Sequence, residues 1–381
     1  MIEKKSPLYR SFPALDGVRA LSILSVIFCH LPVTMPAWLI PLRVRGELGV
    51  ELFFAISGFL VTRSLFQCCD KNRSKIRIAR DFFVRRVSRI FPPYFLTLGV
   101  VFLIARFLDP SLWSKMKQLG NGVLVFPFFV SNYFIPLSQS NVPDTLGITW
   151  SLAFEEQFYL FLLFSFLVFG GRHKNRGFSF VIFISGLISA LYRLGLSLGS
   201  TYEFTHKNMQ MFLHLRFDAL AWACLSWIFF DQLAWVKKYS VYVFTAILLT
   251  VVGHRIFQDS ALGWVWQAFI YAALGFFLSL GVRILCEVGE ESSYFIKKLS
   301  RFLSHPWMAL VGVISYEIYL IHELVIGVLM RLKLSAYPLI FSLLTFSLSI
   351  GVAWLFHRVF SLPTQRYLRG FGSSRSSHAK A

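Results

Sequence analysis

The chain has 381 residues, of which 56% are hydrophobic and only 15% charged, with 42 Phe, 10 Trp and a formal net charge of +19. Its mean hydropathy is +0.62. A water-soluble domain carries about a quarter charged residues, so this composition excludes one and specifies a polytopic membrane protein. The positive charge sits mostly in loops on one side of the apolar segments, which argues against a nucleic-acid partner and for the lipid bilayer as the surrounding medium.

Apolar segments of spanning length recur at about 14–31, 47–66, 90–108, 150–169, 178–198, 214–230, 240–257, 263–283, 307–330 and 338–357. The expected fold class is therefore all-α, a polytopic membrane helical bundle of about ten transmembrane helices. One membrane domain would fill 1–366, followed by a polar, disordered tail at 367–381. The first segment carries Asp16 and Arg19 at its start and lacks a small-residue cleavage site, so it reads as an uncleaved helix. The stretch 119–136 is also apolar but is broken by Gly122, Pro127 and Pro136. Counting it as a span would set the basic loop 171–177 opposite the basic segment 68–89, so a re-entrant or surface-lying piece is expected there. With ten spans, one side holds 25 Lys and Arg and the other 8. The positive-inside rule then predicts both termini in the cytoplasm of a bacterial inner membrane. The five cysteines show neither metal-ligand spacing nor a disulfide framework.

Ionisable residues inside the spans fall into two layers. On the basic side are Arg19, Arg63 and the run DFFVRRVSRIFPPYF, where Arg86 and Arg89 stand three apart and can converge on one anion. The planar guanidinium fork suits phosphate. On the opposite side are His30, Glu51, the pair Glu155–Glu156, and His322 with Glu323. Arg19 and His30 are eleven positions apart, which puts them on one helix face about 16 Å apart in depth. A histidine with carboxylates from several helices has the ingredients of general acid–base chemistry. Each group alone could instead be an interhelix tether. No metal ligand set is apparent from the spacing.

The motifs LDGVRALSILSVIFCH, GVELFFAISGFL, FFVRRVSRIFPPYF, TWSLAFEEQFYL and ISYEIYLIH occur in this order between residues 12 and about 325. Together they resemble the acyltransferase-3 family of integral membrane acyltransferases. The resemblance implies an Arg-(ten residues)-His pair at Arg19 and His30 and an Arg-x-x-Arg pair at Arg86 and Arg89. It also implies transfer of an acyl group, usually acetyl, from cytoplasmic acyl-coenzyme A to a hydroxyl of a carbohydrate-containing acceptor at the outer face. The acceptor would be lipopolysaccharide O-antigen, exopolysaccharide or a related glycan or glycolipid, with acetyl-CoA as co-substrate and no bound cofactor. The short C-terminal segment resembles the stand-alone type of the family. Two departures stand out: Glu51 where the family often has Asp, and Ala153–Phe154 where it has Ser-Val.

On this reading Arg19, Arg86 and Arg89 bind the donor, and His30 is the base, with Glu155 or Glu51 orienting its imidazole as the acid does in a triad. Glu156, Tyr319 and His322 face the acceptor. An acyl-imidazole on His30 is the lesser variant, and Ser57 is disfavoured as a nucleophile. The rival class is a proton-coupled transporter or flippase of a glycan or small solute, which would show broken helices in matched halves.

Overall fold

A computed structural model describes residues 12–36, 48–69, 74–138, 142–170, 176–199, 211–229, 240–257, 263–290 and 292–374. The protein is an all-α polytopic membrane bundle; the described residues contain helices and turns and no strand. The helices are α1 (Pro13–His30), α2 (Leu48–Cys69), α3 (Lys75–Phe107), α4 (Pro110–Leu119), α5 (Ser131–Leu137), α6 (Asp144–Gly147), α7 (Thr149–Phe169), α8 (Arg176–Gly199), α9 (Leu213–Phe229), α10 (Ser240–Phe257), α11 (Gly263–Cys286), α12 (Tyr294–Leu303), α13 (Pro306–Val313), α14 (Ser315–Arg331), α15 (Pro338–Phe356) and α16 (Leu362–Ser374). Among the described residues six helical stretches are long and apolar enough to cross a membrane, and the bent pair α13–α14 would make a seventh. The apolar segments read as spans at 214–230, 240–257 and 263–283 are also helical, but over described lengths too short to pass the same test. Large apolar side chains such as Phe102, Leu103, Leu339 and Leu343 are exposed along the outer faces, as a lipid-facing surface requires.

Two expectations are corrected. The segment 307–330 is two helices meeting at a 72° bend. The bend lets α13 lie alongside the start of α1, so closely that a Cβ on Gly312 would stand 1.8 Å from the Asp16 carbonyl oxygen. The last helix runs past residue 366 to Ser374, continuing α15 through a π-turn at His357–Ser361. Pro363 accounts for the π-turn: its ring would meet the carbonyl four residues back, and widening the preceding turn relieves that. As expected for 119–136, the described part of 110–147 does not span. It folds as α4, a 3-10 turn at Gly120–Val125, α5 and α6 into a cap over the His30 side of the bundle.

That cap changes the depth of α7. Ser131, Asn132, Thr149 and Ser151 are buried where the cap meets the start of α7, and Thr149 donates to the Ser131 hydroxyl at 2.9 Å. Gln157 is held by Asn132 and by the Phe129 carbonyl, at 2.8 and 2.7 Å. The N-terminus of α7 therefore begins below the surface, and its polar residues sit deeper than their sequence position implies.

Two buried ion pairs join α2, α8 and α9. Arg193 meets Asp218 in a bidentate contact at 2.9 and 2.7 Å with both side chains fully buried. Arg216 pairs with Glu51, and the backbone kinks at Arg216 (φ −135°, ψ 19°). Charges in the bilayer interior need such partners, and a pairing helix is fixed in register by them.

Candidate active site

His30, the last residue of α1, meets two neighbours from α14. Its Nδ1 contacts the Glu323 carboxylate directly, and Nε2 of His322 lies 3.2 Å from the same nitrogen. The hydrogen bonds fix the tautomers. Nδ1 of His322 donates to the Tyr319 carbonyl at 2.7 Å, so its Nε2 carries a lone pair. That lone pair and the Glu323 carboxylate both require a proton on His30 Nδ1. In the neutral imidazole this arrangement puts the lone pair on His30 Nε2, the nitrogen that can act as a base. His322 is fully buried and Glu323 nearly so, while a third of the His30 side chain is exposed.

His30 and Glu323 line a cavity of about 950 Å³ that opens on the same side as the cap. Asp109, Lys115, Asp144 and Arg331 also line it, as does Trp150. Asp109 caps α4, accepting from the amides of Ser111 and Leu112 at 3.1 Å, and pairs with Arg331 of α14. These hydrogen bonds and Arg331 hold its carboxyl below the usual range although its partial burial acts the other way.

A second, narrower cavity of about 90 Å³ lies beneath it and shares Val50 and Tyr319 with it. Its walls bring Arg19, Arg86 and Arg89 together with Glu155 and Glu156. Arg86 stacks on the Tyr159 ring at 4.3 Å. Arg19 is paired with Asp16 at 3.1 Å, one turn earlier on α1. Arg19 and Arg89 in turn line a third cavity, of about 270 Å³, towards the basic side. The three cavities stand end to end, linked by shared lining residues, from the arginines to His30.

The profile of a family described as an acyltransferase domain matches residues 12–358. The chain belongs to the acyltransferase-3 family. It is 30% identical over 326 residues to the peptidoglycan O-acetyltransferase OatA of Listeria monocytogenes, covering 81% of this chain and 48% of that protein. It is 29% identical over 341 residues to the O-acetyltransferase OatA of Staphylococcus aureus, covering 83% of this chain and 50% of that protein. The chain thus spans about half the length of these relatives. No solved structure matches it.

Within this family frame, the structure redistributes the residues singled out from the sequence. Arg19, Arg86 and Arg89 do converge on one cavity. The two carboxylates expected beside His30 are elsewhere. Glu51 is committed to Arg216. Glu155 accepts from Ser57 at 3.1 Å and from Tyr159 at 2.8 Å, in the cavity of the arginines. Sunk beneath the cap, α7 carries Glu155 and Glu156 down to the arginine layer. The carboxylate at His30 is Glu323, which the outer layer contained but to which no role was given. Its neighbour His322 is not an acceptor contact, because it is wholly buried against His30 and the Tyr319 carbonyl. The Tyr319 hydroxyl is tied to Ser151 at 2.6 Å and to the Ile148 carbonyl at 2.8 Å, so it holds the start of α7 while also lining the upper two cavities.

The fold also gathers a metal-type donor set that the linear spacing hides, since ligand atoms of His30, His322 and Glu323 lie within 4.8 Å of one another. Those atoms already satisfy one another as a hydrogen-bonded relay. An ion with ligand distances of about 2.0–2.2 Å would have to part the direct contact between His30 and Glu323.

Proposed function

We propose that the protein is an O-acetyltransferase of the cytoplasmic membrane. It moves acetyl from cytoplasmic acetyl-coenzyme A to a hydroxyl of a carbohydrate acceptor at the outer face, with both termini in the cytoplasm. The observation that carries this reading is the Glu323–His30–His322 relay at the floor of the large cavity, standing above arginines that line the two cavities leading to the basic side.

The donor enters from the basic side, its phosphates meeting Arg86 and Arg89 through charge-assisted bonds. The slender pantetheine arm extends past Arg19 towards His30. The acceptor occupies the large cavity, where Trp150, Asp144 and Lys115 offer a ring and polar partners to a sugar. His30 Nε2 takes the acceptor hydroxyl proton as its oxygen attacks the thioester carbonyl. The carbonyl carbon–sulfur bond then breaks, and the coenzyme A thiolate recovers the proton from His30. Glu323 stabilises the transient imidazolium and His322 holds its orientation, which are the tasks of the third member of a triad. An acyl-imidazole route would use the same nitrogen as nucleophile and leaves the assembly unchanged. The name of the Listeria relative, a peptidoglycan O-acetyltransferase, supports a cell-wall glycan as the acceptor class. Lipopolysaccharide O-antigen and exopolysaccharide belong to the same chemistry, a sugar hydroxyl.

One observation favours the rival reading of a proton-coupled transporter: the bent pair α13–α14. Among the described residues it is a single bent pair, whereas inverted-repeat transporters break helices in both halves. The two readings separate on purified full chain given radiolabelled acetyl-coenzyme A in detergent. An acetyltransferase hydrolyses it slowly without acceptor and transfers label when a glycan oligosaccharide is added. Absence of both activities in folded protein would refute the enzyme reading.

A further inference from the structure

The cavity nearest the basic side has a wall that neither the family motifs nor the matched region supplies. Beyond Arg19 and Arg89, it is lined by Ser361, the last residue of the π-turn, and by Gln365 and Arg369, which follow it. These three stand at i, i+4 and i+8 and so form one stripe running from the end of the π-turn along α16. Cytoplasmic-side helices ordinarily turn their polar stripe outward. Here the polar stripe faces the cavity, while Arg366 and Tyr367 on the other side of the helix are exposed. The Ser361 hydroxyl is buried in this wall with no hydrogen-bond partner, a condition that is costly unless a ligand satisfies it. The carboxylate in the same wall, Glu317, is engaged by His357 Nδ1 at 2.8 Å. Against this one carboxylate the lining sets three guanidinium groups, those of Arg19, Arg89 and Arg369.

We infer that Ser361, Gln365 and Arg369 form, with Arg89, a phosphate-binding site that receives the phosphorylated nucleotide end of the acyl donor. The inference rests on the acyl-coenzyme A reading above and extends it to a helix outside the matched domain. The π-turn is what makes the site: by widening the helix ahead of Pro363 it sets the register in which Ser361, Gln365 and Arg369 face inward together. Arg369 supplies a charged fork, Gln365 an amide donor and Ser361 a hydroxyl donor, which together suit a phosphate monoester. The arginines of the next cavity then take the diphosphate, and the arm continues towards His30.

The test is binding of coenzyme A, and of 3′-dephospho-coenzyme A, to detergent-purified full chain by calorimetry. Wild type should prefer coenzyme A. Arg369→Ala should weaken coenzyme A by roughly tenfold or more and erase the preference over the dephospho form, as loss of a charge-assisted contact does. Ser361→Ala should weaken it less, and Arg369→Lys should restore part of the loss. Arg366→Ala removes the same charge from the exposed side of the helix and should leave both affinities unchanged. If wild type binds no coenzyme A, the donor reading itself fails. If wild type binds but Arg369→Ala and Ser361→Ala bind equally well, the donor reading stands and this site is refuted. A phosphate-bearing lipid headgroup offers the same chemistry. If the variants keep their coenzyme A affinity but lose affinity for phosphatidylglycerol in mixed micelles, the site belongs to the lipid and the inference is overturned.

Discussion

Replacing Glu323 by Gln keeps size and hydrogen-bonding capacity but removes the charge in direct contact with His30 Nδ1. In the transition state the imidazole becomes imidazolium, so the loss falls there rather than on ground-state binding. A hydrogen bond to a charged group contributes about 1.5–3 kcal/mol, which corresponds to a fall in kcat of roughly 10- to 150-fold. In triads the analogous change costs about 10⁴-fold, because the amide can also impose the wrong tautomer. Here that second penalty is opposed. His322 Nε2, 3.2 Å from His30 Nδ1, is an obligate acceptor because its own Nδ1 is committed to the Tyr319 carbonyl. It keeps the proton on Nδ1 when position 323 no longer demands it. The double variant Glu323→Gln, His322→Ala should accordingly lose more than the sum of the two single effects. The assay is kcat and KM for acetyl transfer to a defined oligosaccharide, with KM for the donor expected to stay within about twofold. A Glu323→Gln enzyme with more than half of wild-type kcat, alongside an inactive Glu155→Gln enzyme, would refute the relay and return the orienting role to α7.

His30→Ala should lower kcat by about 10²–10⁴-fold with coenzyme A binding retained, measured in the same assay; residual activity above a tenth would remove it as the base. Arg86→Ala and Arg89→Ala should raise the donor KM more than they lower kcat, with lysine rescuing only part, and a pure kcat defect in both would move them out of the donor path. In a background free of native cysteines, single cysteines at Met35 and Ser74 should react with an impermeant thiol reagent from opposite sides of sealed spheroplasts, Met35 from outside; labelling of Ser74 from outside would invert the orientation. Gly312→Ala should lower the thermal midpoint in detergent by an amount equivalent to about 1–3 kcal/mol, because its Cβ would fall 1.8 Å from the Asp16 carbonyl oxygen in the packed backbone contact of α13 on α1. An unchanged midpoint would mean that α13 can shift freely.

The sequence by itself determined the class, the helices and the chemistry present. Hydropathy is a local property, so the ten apolar segments could be read without knowing their neighbours, and each is helical in the structure. Arg86 and Arg89 could likewise be read as a pair, because i, i+3 proximity is built into a helix. Helix interruptions were less legible. By hydropathy the run 307–330 is continuous, and its bend lies between Val313 and Ser315, just past the glycine that packs α13 against α1.

Which carboxylate serves His30 was decided only by tertiary structure. Glu51 and Glu155 read as the partners by type and nominal depth, while Glu323 stood in the same layer with no role, and sequence distances from His30 carry no information about contact. Glu51 was taken by Arg216, whose pairing depends on how α9 kinks against α2. Glu155 lies in the arginine layer, where it accepts from Ser57 of α2 and Tyr159 of its own helix. Glu323 reached His30 across 293 positions because α14 packs beside α1 with the face bearing His322 and Glu323 turned towards it. A helix fixes the side-chain neighbours within three or four residues, whereas the order and tilt of helices in a bundle follow from the sum of all their packing contacts. The residues of the site were therefore present in the sequence, but their partnership arises only in the fold.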